Sequence, residues 1–361
     1  MHFGKIAKLF GGAVLGAALL LGTLAPNTAQ AEEKKDFKLA WSIYAGWMPW
    51  GYATENGIVK KWADKYGITI EVTQFNDYIE SINQFTAGAY DAVLLTNMDL
   101  LAIPAVGGVD TSVLIMGDYS NGNDTIILKG KDKLEDIKGQ NVNLVELSVS
   151  HYLLARALET IDLSEKDVTV VNTSDADMIS AWKTPDITAL ATWNPMSSEI
   201  LKDKDAHNVF DSSQIPGEIM DMCAVNTETL KDNPDFGKAL VGAWYETMKL
   251  MSSDTPEGKA ARESMAKASG TDLPGYEAQL ATTKMFYDPA DAVEFTESDN
   301  AHEIMDNVRG FLFDHGLLGE GAPSADVVGI EFPDGSVLGD EGNVKFRFNT
   351  DYMKMAADGK L

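Results

Sequence analysis

Apolar and polar positions alternate over residues 37–43, and the strand formers there predict a β-strand that opens the folded part of the chain. Residues 44–51 break that alternation and carry Gly46 and Pro49, so they read as a loop. Residues 52–66 have the apolar spacing of one amphipathic helix stopped at Gly67. The same alternation of periods continues along the chain. A strand at 68–73 leads to a helix at 78–87 closed by Gly88, then a strand at 91–95, a helix around Leu100 and a strand at 113–116. Strands separated by helices at this spacing predict right-handed βαβ crossovers and a largely parallel sheet.

The pattern then restarts. Strands are predicted at 125–128, 141–145, 168–171, 188–192 and 208–210, with a short turn at 134–139 and helices at 150–158 and 176–182. After 221–225 the composition shifts to helices, at 234–251, 256–268, 276–283 and 301–315. This describes an α/β chain of two lobes, crossing near 119–124 and returning near 220–224. Lobe I takes 32–120 and 225–361, with the late helices packed back onto it, and lobe II takes 121–224. Gly and Asp are frequent from 327 onward, and 344–348 reads as a short edge strand.

Charge narrows the partners. With 29 Lys and Arg against 55 Asp and Glu, the formal charge is −26, which repels nucleic acid and anionic membrane surfaces. The single Cys223 excludes an internal disulfide and a thiolate zinc cage, and five scattered His argue against a His-rich metal centre. No metal or cofactor is expected.

At the N-terminus, Lys5 and Lys8 precede an uncharged run at 9–24, then Pro26 and the small-residue site Ala29, Gln30, Ala31. This three-part pattern predicts a signal peptide over 1–31, cut before Glu32, and a mature protein free in a periplasm without stable membrane insertion. No Cys follows the apolar run to carry a lipid.

Five stretches in order carry a resemblance. They are residues 46–50 (Gly46, Trp47, Met48, Pro49, Trp50), 85–93, 134–142, 148–154 and 189–195 (ending in Thr192, Trp193, Asn194, Pro195). Together they resemble the periplasmic substrate-binding proteins of nitrate-, sulfonate- and taurine-type ABC importers over nearly the whole mature length. Within that family, residues 41–50 look most similar to the branch associated with urea carboxylase gene regions, for which urea or guanidine-like cargo has been proposed. The resemblance implies the two-lobed periplasmic binding protein fold of type II, with two parallel or mixed sheets and a ligand cleft between lobes. It also implies a monomer that delivers a small-molecule ligand to the permease and ATPase subunits of an importer.

In such a fold the ligand meets residues just after the strands. The positions given by that rule are 44–50, 76–77, 96–97, 118–119, 146–150, 173–175 and 193–194, with Glu218 and Asp221 at the return, and the candidates taken from them are Tyr44, Trp47, Trp50, Asp77, Asn97, Glu146, Ser148, Trp193 and Asp221. They combine aromatic faces with carboxylates and contain no Arg or Lys. An anion needs a cation or an unobstructed helix N-terminus. A planar guanidinium instead stacks on Trp and donates paired hydrogen bonds to a carboxylate, and neutral urea uses the same groups less strongly.

Blander roles stand beside these. Trp47 and Trp50 also fit a core cap, Trp193 a packing plug, Glu146 a charge near a helix start, and Ser148 and Ser150 simple N-caps. Asp118 and Asp175, taken singly, read as solvated surface, and His151 as structural. The runner-up ligand is a small anion: taurine, an alkanesulfonate or nitrate. A different class, an enzyme on the same fold making a pyrimidine precursor, is disfavoured by the predicted export. Gly-x-Ser-x-Gly, a phosphate loop and a His-Glu-x-x-His zinc helix are all missing from the sequence.

Overall fold

Phe37, Leu39 and Trp41 alternate along the first strand, and all three are buried, so that the chain enters its sheet apolar face down. The computed structural model describes residues 34–319 and 321–361. The predicted signal peptide at 1–31 lies outside them. Among the described residues no helix is long and apolar enough to cross a membrane.

The chain lays down β1 (Asp36–Ser42), β2 (Thr69–Phe75), β3 (Ala92–Thr96) and β4 (Thr111–Ser120) in a first sheet. It then builds a second sheet from β5 (Thr125–Lys129), β6 (Asn141–Leu144), β7 (Thr169–Asn172), β8 (Ala189–Thr192) and β9 (Ala206–Asp211). It returns to the first with β10 (Met220–Asn226), and later adds β11 (Thr283–Met285), β12 (Gly329–Glu331), β13 (Val337–Leu338) and β14 (Val344–Phe348).

The nine-stranded sheet runs β13-β12-β14-β4-β10-β3-β1-β2, with β11 paired to β4, and the five-stranded sheet runs β7-β6-β8-β5-β9. Both are mixed. In the first, β1 pairs parallel with β2 and β3, whereas β10 is antiparallel to both of its neighbours, β3 and β4. The βαβ pattern predicts only the parallel part. The chain comes back from the other sheet without a crossover helix, so β10 enters in the opposite direction.

Two connections join the sheets, 121–124 and 212–219, and they are bonded to each other. Ser120 and Ser212 share a hydroxyl–hydroxyl bond of 2.6 Å, Gly122 N–H donates to Ser212 Oγ at 2.8 Å, and Ser212 N–H donates to the Asp124 carbonyl at 3.0 Å. β10 begins at Met220 in the nine-stranded sheet, so the return lies a few residues before the 224 boundary read from sequence.

Three local readings are corrected. The predicted loop at 44–51 is a single 3-10 turn followed by the helix Met48–Glu55, because Pro49 occupies the first turn, where its missing N–H goes unused. The predicted helix at 52–66 is two helices, broken at Gly57, whose φ of +73° is left-handed. The strand at 344–348 is not at an edge. It lies between β12 and β4, and the outer strands β12 and β13 are too short to show a sequence period. The helices Pro234–Met251 and Pro256–Ala268 follow the predicted bounds. The former buries Phe236, Leu240, Trp244 and Met248.

Candidate functional site

Four aromatic rings meet where the two sheets approach. Tyr44 and Trp47 follow β1, Tyr78 opens the helix Tyr78–Thr86 after β2, and Trp193 follows β8. Their centroids form a chain of contacts: Tyr44 to Trp47 at 5.1 Å, Trp47 to Tyr78 at 5.7 Å, and Tyr78 to Trp193 at 5.7 Å. These rings, with Thr96, Val149, Asp124 and Asp221, enclose a cavity of about 20 Å³ of space for the centre of a water-sized sphere. A single buried water needs roughly 10–15 Å³ by that measure, so only a very small solute fits.

The carboxylates around this cavity are unusual. Asp99, Asp118, Asp124 and Asp221 are all buried, and none of the residues lining the cavity is Lys or Arg. Asp118 and Asp221 are paired across β4 and β10, with their carboxyl groups in hydrogen-bond range of one another. Tyr44 donates its hydroxyl to Asp118 Oδ1 at 2.7 Å. Among the described residues no donor reaches Asp118 Oδ2 or Asp221 Oδ2. Burial raises both carboxyls above the usual range, and the negative charge of its neighbours raises Asp221 further. Burial likewise pushes Asp124 up to about 7, and Asp99 up to about 6. Asp99 accepts hydrogen bonds on one oxygen, Oδ2, from Tyr78 Oη at 2.7 Å and from Thr96 Oγ1 at 2.9 Å, while among the described residues no donor reaches its Oδ1. The backbone of Val149, the first residue of the helix Val149–Glu159, holds the Asp99 carboxyl down against its burial, so a carboxyl group of the protein itself lies near that N-terminus.

The cleft is closed by direct bonds across it. Ala45 N–H donates to the Asn194 carbonyl at 3.2 Å, Trp193 Nε1 to the Ile43 carbonyl at 3.2 Å, Tyr78 N–H to Asp175 at 3.2 Å, and Ser174 Oγ to Asp77 at 2.7 Å. Farther along, Glu165 bridges His151 and His315, tying the helix Val149–Glu159 to the end of the helix Asp299–Asp314.

Of the residues singled out from sequence, Tyr44, Trp47, Trp193 and Asp221 line the cavity. Asn97 stands beside it as a brace. Its amide donates to the Glu218 carbonyl at 3.1 Å and accepts from Met220 N–H at 3.1 Å, fixing the start of β10. Asp77 caps the helix Tyr78–Thr86 through Glu80 N–H and holds Ser174 across the cleft. Ser148 is the N-cap of Val149–Glu159. Two candidates fall outside. Trp50 is 1 % exposed in the core, stacked on Trp244, because the helix Met48–Glu55 turns its ring inward. Glu146 is exposed, since β6 ends at Leu144 and Leu147 takes a left-handed φ of +62°, turning the chain to the surface.

Tyr78 and Asp124 also line the cavity but lie outside the post-strand stretches, whereas Thr96 and Val149 lie within those stretches without being among the nine candidates. Asp118 and Asp175 prove buried, not solvated. Asp118 lies within β4, just past its apolar run at 113–116, which was the available signal; its pairing with Asp221 is set by β10, a partner distant in sequence. A wider groove of about 600 Å³ lies elsewhere, between Asp299, His302, Asp306 and Asp334. Its acids are exposed to water, and it has no aromatic box.

The sequence profile of the NMT1-like family matches residues 30–269. A taurine-binding periplasmic protein of Escherichia coli (strain K12) is 23 % identical over 181 residues, 49 % of this chain and 56 % of that relative. The match thus spans little more than half the relative's length. Among solved structures, an alkanesulfonate-binding protein of Xanthomonas axonopodis pv. citri bound to MOPS superposes with a TM-score of 0.67 at 16 % identity, covering 80 % of this chain and 96 % of that one. The periplasmic nitrate-binding protein of Synechocystis PCC 6803 gives 0.57 at 13 % identity over 91 % and 99 %. These likenesses show a periplasmic binding protein fold, α/β with two mixed sheets flanked by helices.

Proposed function

The chain belongs to the NMT1-like family, and we propose that it is the periplasmic solute-binding subunit of an ABC importer whose cargo is a small planar cation of the guanidinium type, or its neutral relative urea. It would hand that cargo to the permease and ATPase. The observation that carries this reading is the pair Asp118 and Asp221, buried without any basic partner beside a cavity walled by Tyr44, Trp47, Tyr78 and Trp193. Buried charges are normally paired. A cation among these rings gains the attraction of their faces and charged hydrogen bonds to the carboxylates together. The cavity's small size favours the smallest solutes. The resemblance of residues 41–50 to the urea carboxylase-associated branch points the same way.

The second reading, a small anion such as taurine, an alkanesulfonate or nitrate, has its support in the names of the relatives. Against it stands the carboxylate of Asp99 at the helix N-terminus that an anion would use. Calorimetric titration of the purified protein with guanidinium, urea, taurine and nitrate decides between them. Guanidinium heat without taurine heat is the expected result; tight taurine binding with no guanidinium heat overturns it.

A further inference from the structure

We propose that Asp118 and Asp221 form a proton-exchanging pair that selects a cation over its neutral isostere, one proton leaving the pair for solvent as one singly charged ligand enters. This rests on the cation reading above and adds to it how the site holds its charge when empty.

The geometry supplies the reason. The two residues are partners in the register of adjacent antiparallel strands, 0 % and 4 % exposed, with carboxyl groups in hydrogen-bond range. Two carboxylates in such contact cannot both ionise in a site closed to water. A proton held between them satisfies the orphaned oxygens, because a protonated carboxyl donates where a carboxylate only accepts. Among the described residues, no charged donor reaches the unpartnered oxygens of the pair. Facing the pair are the hydroxyl of Tyr44 after β1, Asp124 after β4, and Asp99 beyond Asp124, none of them basic. Tyr276, on the helix Leu273–Leu280, and Tyr287, just after β11, feel the charge of Asp118, and Arg262 reaches as far as Tyr287. Asp118 Oδ2 has no slack to turn away, for it lies so close over Gly46 that a methyl group there would stand 2.6 Å from it.

The charge account closes. Empty, the pair carries one negative charge and one proton. A guanidinium brings one positive charge, both carboxyls ionise, the proton departs, and the net charge of site and ligand is unchanged. Urea brings no charge, so it leaves the proton where it is. The pair therefore distinguishes two solutes of nearly the same shape by exchange.

The test is calorimetric titration of the purified protein with guanidinium chloride and with urea between about pH 5.5 and 7.5, in two buffers of different ionisation enthalpy, since one proton released per ligand gives a slope approaching tenfold in affinity per pH unit. Guanidinium, charged throughout this range, should bind more tightly as pH rises, with a heat that depends on the buffer. Urea should show neither effect. Asp118→Asn should remove the pH slope, and its melting temperature reports whether it folds. The wild-type buffer dependence stands alone if it does not. Guanidinium binding that is flat in pH and indifferent to buffer overturns the exchange and leaves the cation reading intact. No guanidinium binding at any pH overturns both.

Discussion

The indole of Trp50 stacks on that of Trp244, with centroids 5.5 Å apart and planes 26° from parallel. Trp50 therefore knits the helix Met48–Glu55 to the helix Pro234–Met251, although only two residues separate it from Trp47 in the cavity wall. Trp50→Ala should lower stability by about 3–5 kcal/mol, the usual loss for truncating a large buried aromatic, as read by denaturant unfolding. Ligand affinity of the folded fraction should stay within a few-fold of wild type. A stable Trp50→Ala protein that has lost binding would return Trp50 to the cavity.

Trp47 should behave in the opposite way. A desolvated cation–π contact is worth about 2 kcal/mol, and about 1.4 kcal/mol is a factor of ten. Trp47→Ala should weaken guanidinium at least tenfold by calorimetry.

Among the acids the sharpest contrast is Asp221 against Glu146. Asp221 is 4 % exposed and lines the cavity, while Glu146 lies in water. Asp221→Asn should weaken guanidinium tenfold or more, because a charged hydrogen bond contributes about 1.5–3 kcal/mol. Glu146→Gln should bind like wild type. Equal losses from both substitutions would move the counter-charge to the surface.

Stability of the empty protein should fall as pH rises. Asp124, held up at about 7 by burial, and Asp99 and Asp175, at about 6 for the same reason, keep protons in the folded state that the unfolded chain releases near 3.8. Their contribution is complete below about pH 4 and disappears by about pH 7, at up to about 1.4 kcal/mol per proton per pH unit. The melting temperature at pH 5 should exceed that at pH 8. A higher value at pH 8 would mean that these carboxyls find donors absent from this structure.

Motion leaves its own signature. The bonds from Tyr78 to Asp175 and from Ser174 to Asp77 cross the cleft and would have to break for it to open. Small-angle scattering should show a smaller radius of gyration with saturating ligand than without it. An unchanged radius despite demonstrated binding would contradict a hinge.

How much of this was legible in the sequence follows from where each constraint resides. The helix Pro234–Met251 could be read to its bounds, because Pro234 starts it and its apolar stripe is continuous. Tyr44, Trp47 and Trp193 were accessible from the rule that ligands lie past strand ends. The same rule reaches Asp118, but its burial could not be read there, because that depends on β10, which arrives a hundred residues later and antiparallel. Trp50 and Glu146 lie outside the cavity for a shared reason. A position after a strand says which end of the sheet a residue occupies, while one turn of helix or one left-handed residue decides whether it faces the cleft.

Two of the bonds that shut the cleft end on main-chain atoms, Ala45 N–H to the Asn194 carbonyl and Trp193 Nε1 to the Ile43 carbonyl, and the first uses no side chain at all. Shutting is thus partly written in peptide groups that every amino acid carries, whereas the charge and shape of the cavity are written in Trp47, Asp118 and Asp221. Exchanging those side chains would therefore alter what the cavity accepts while leaving the bond between Ala45 and Asn194 in place.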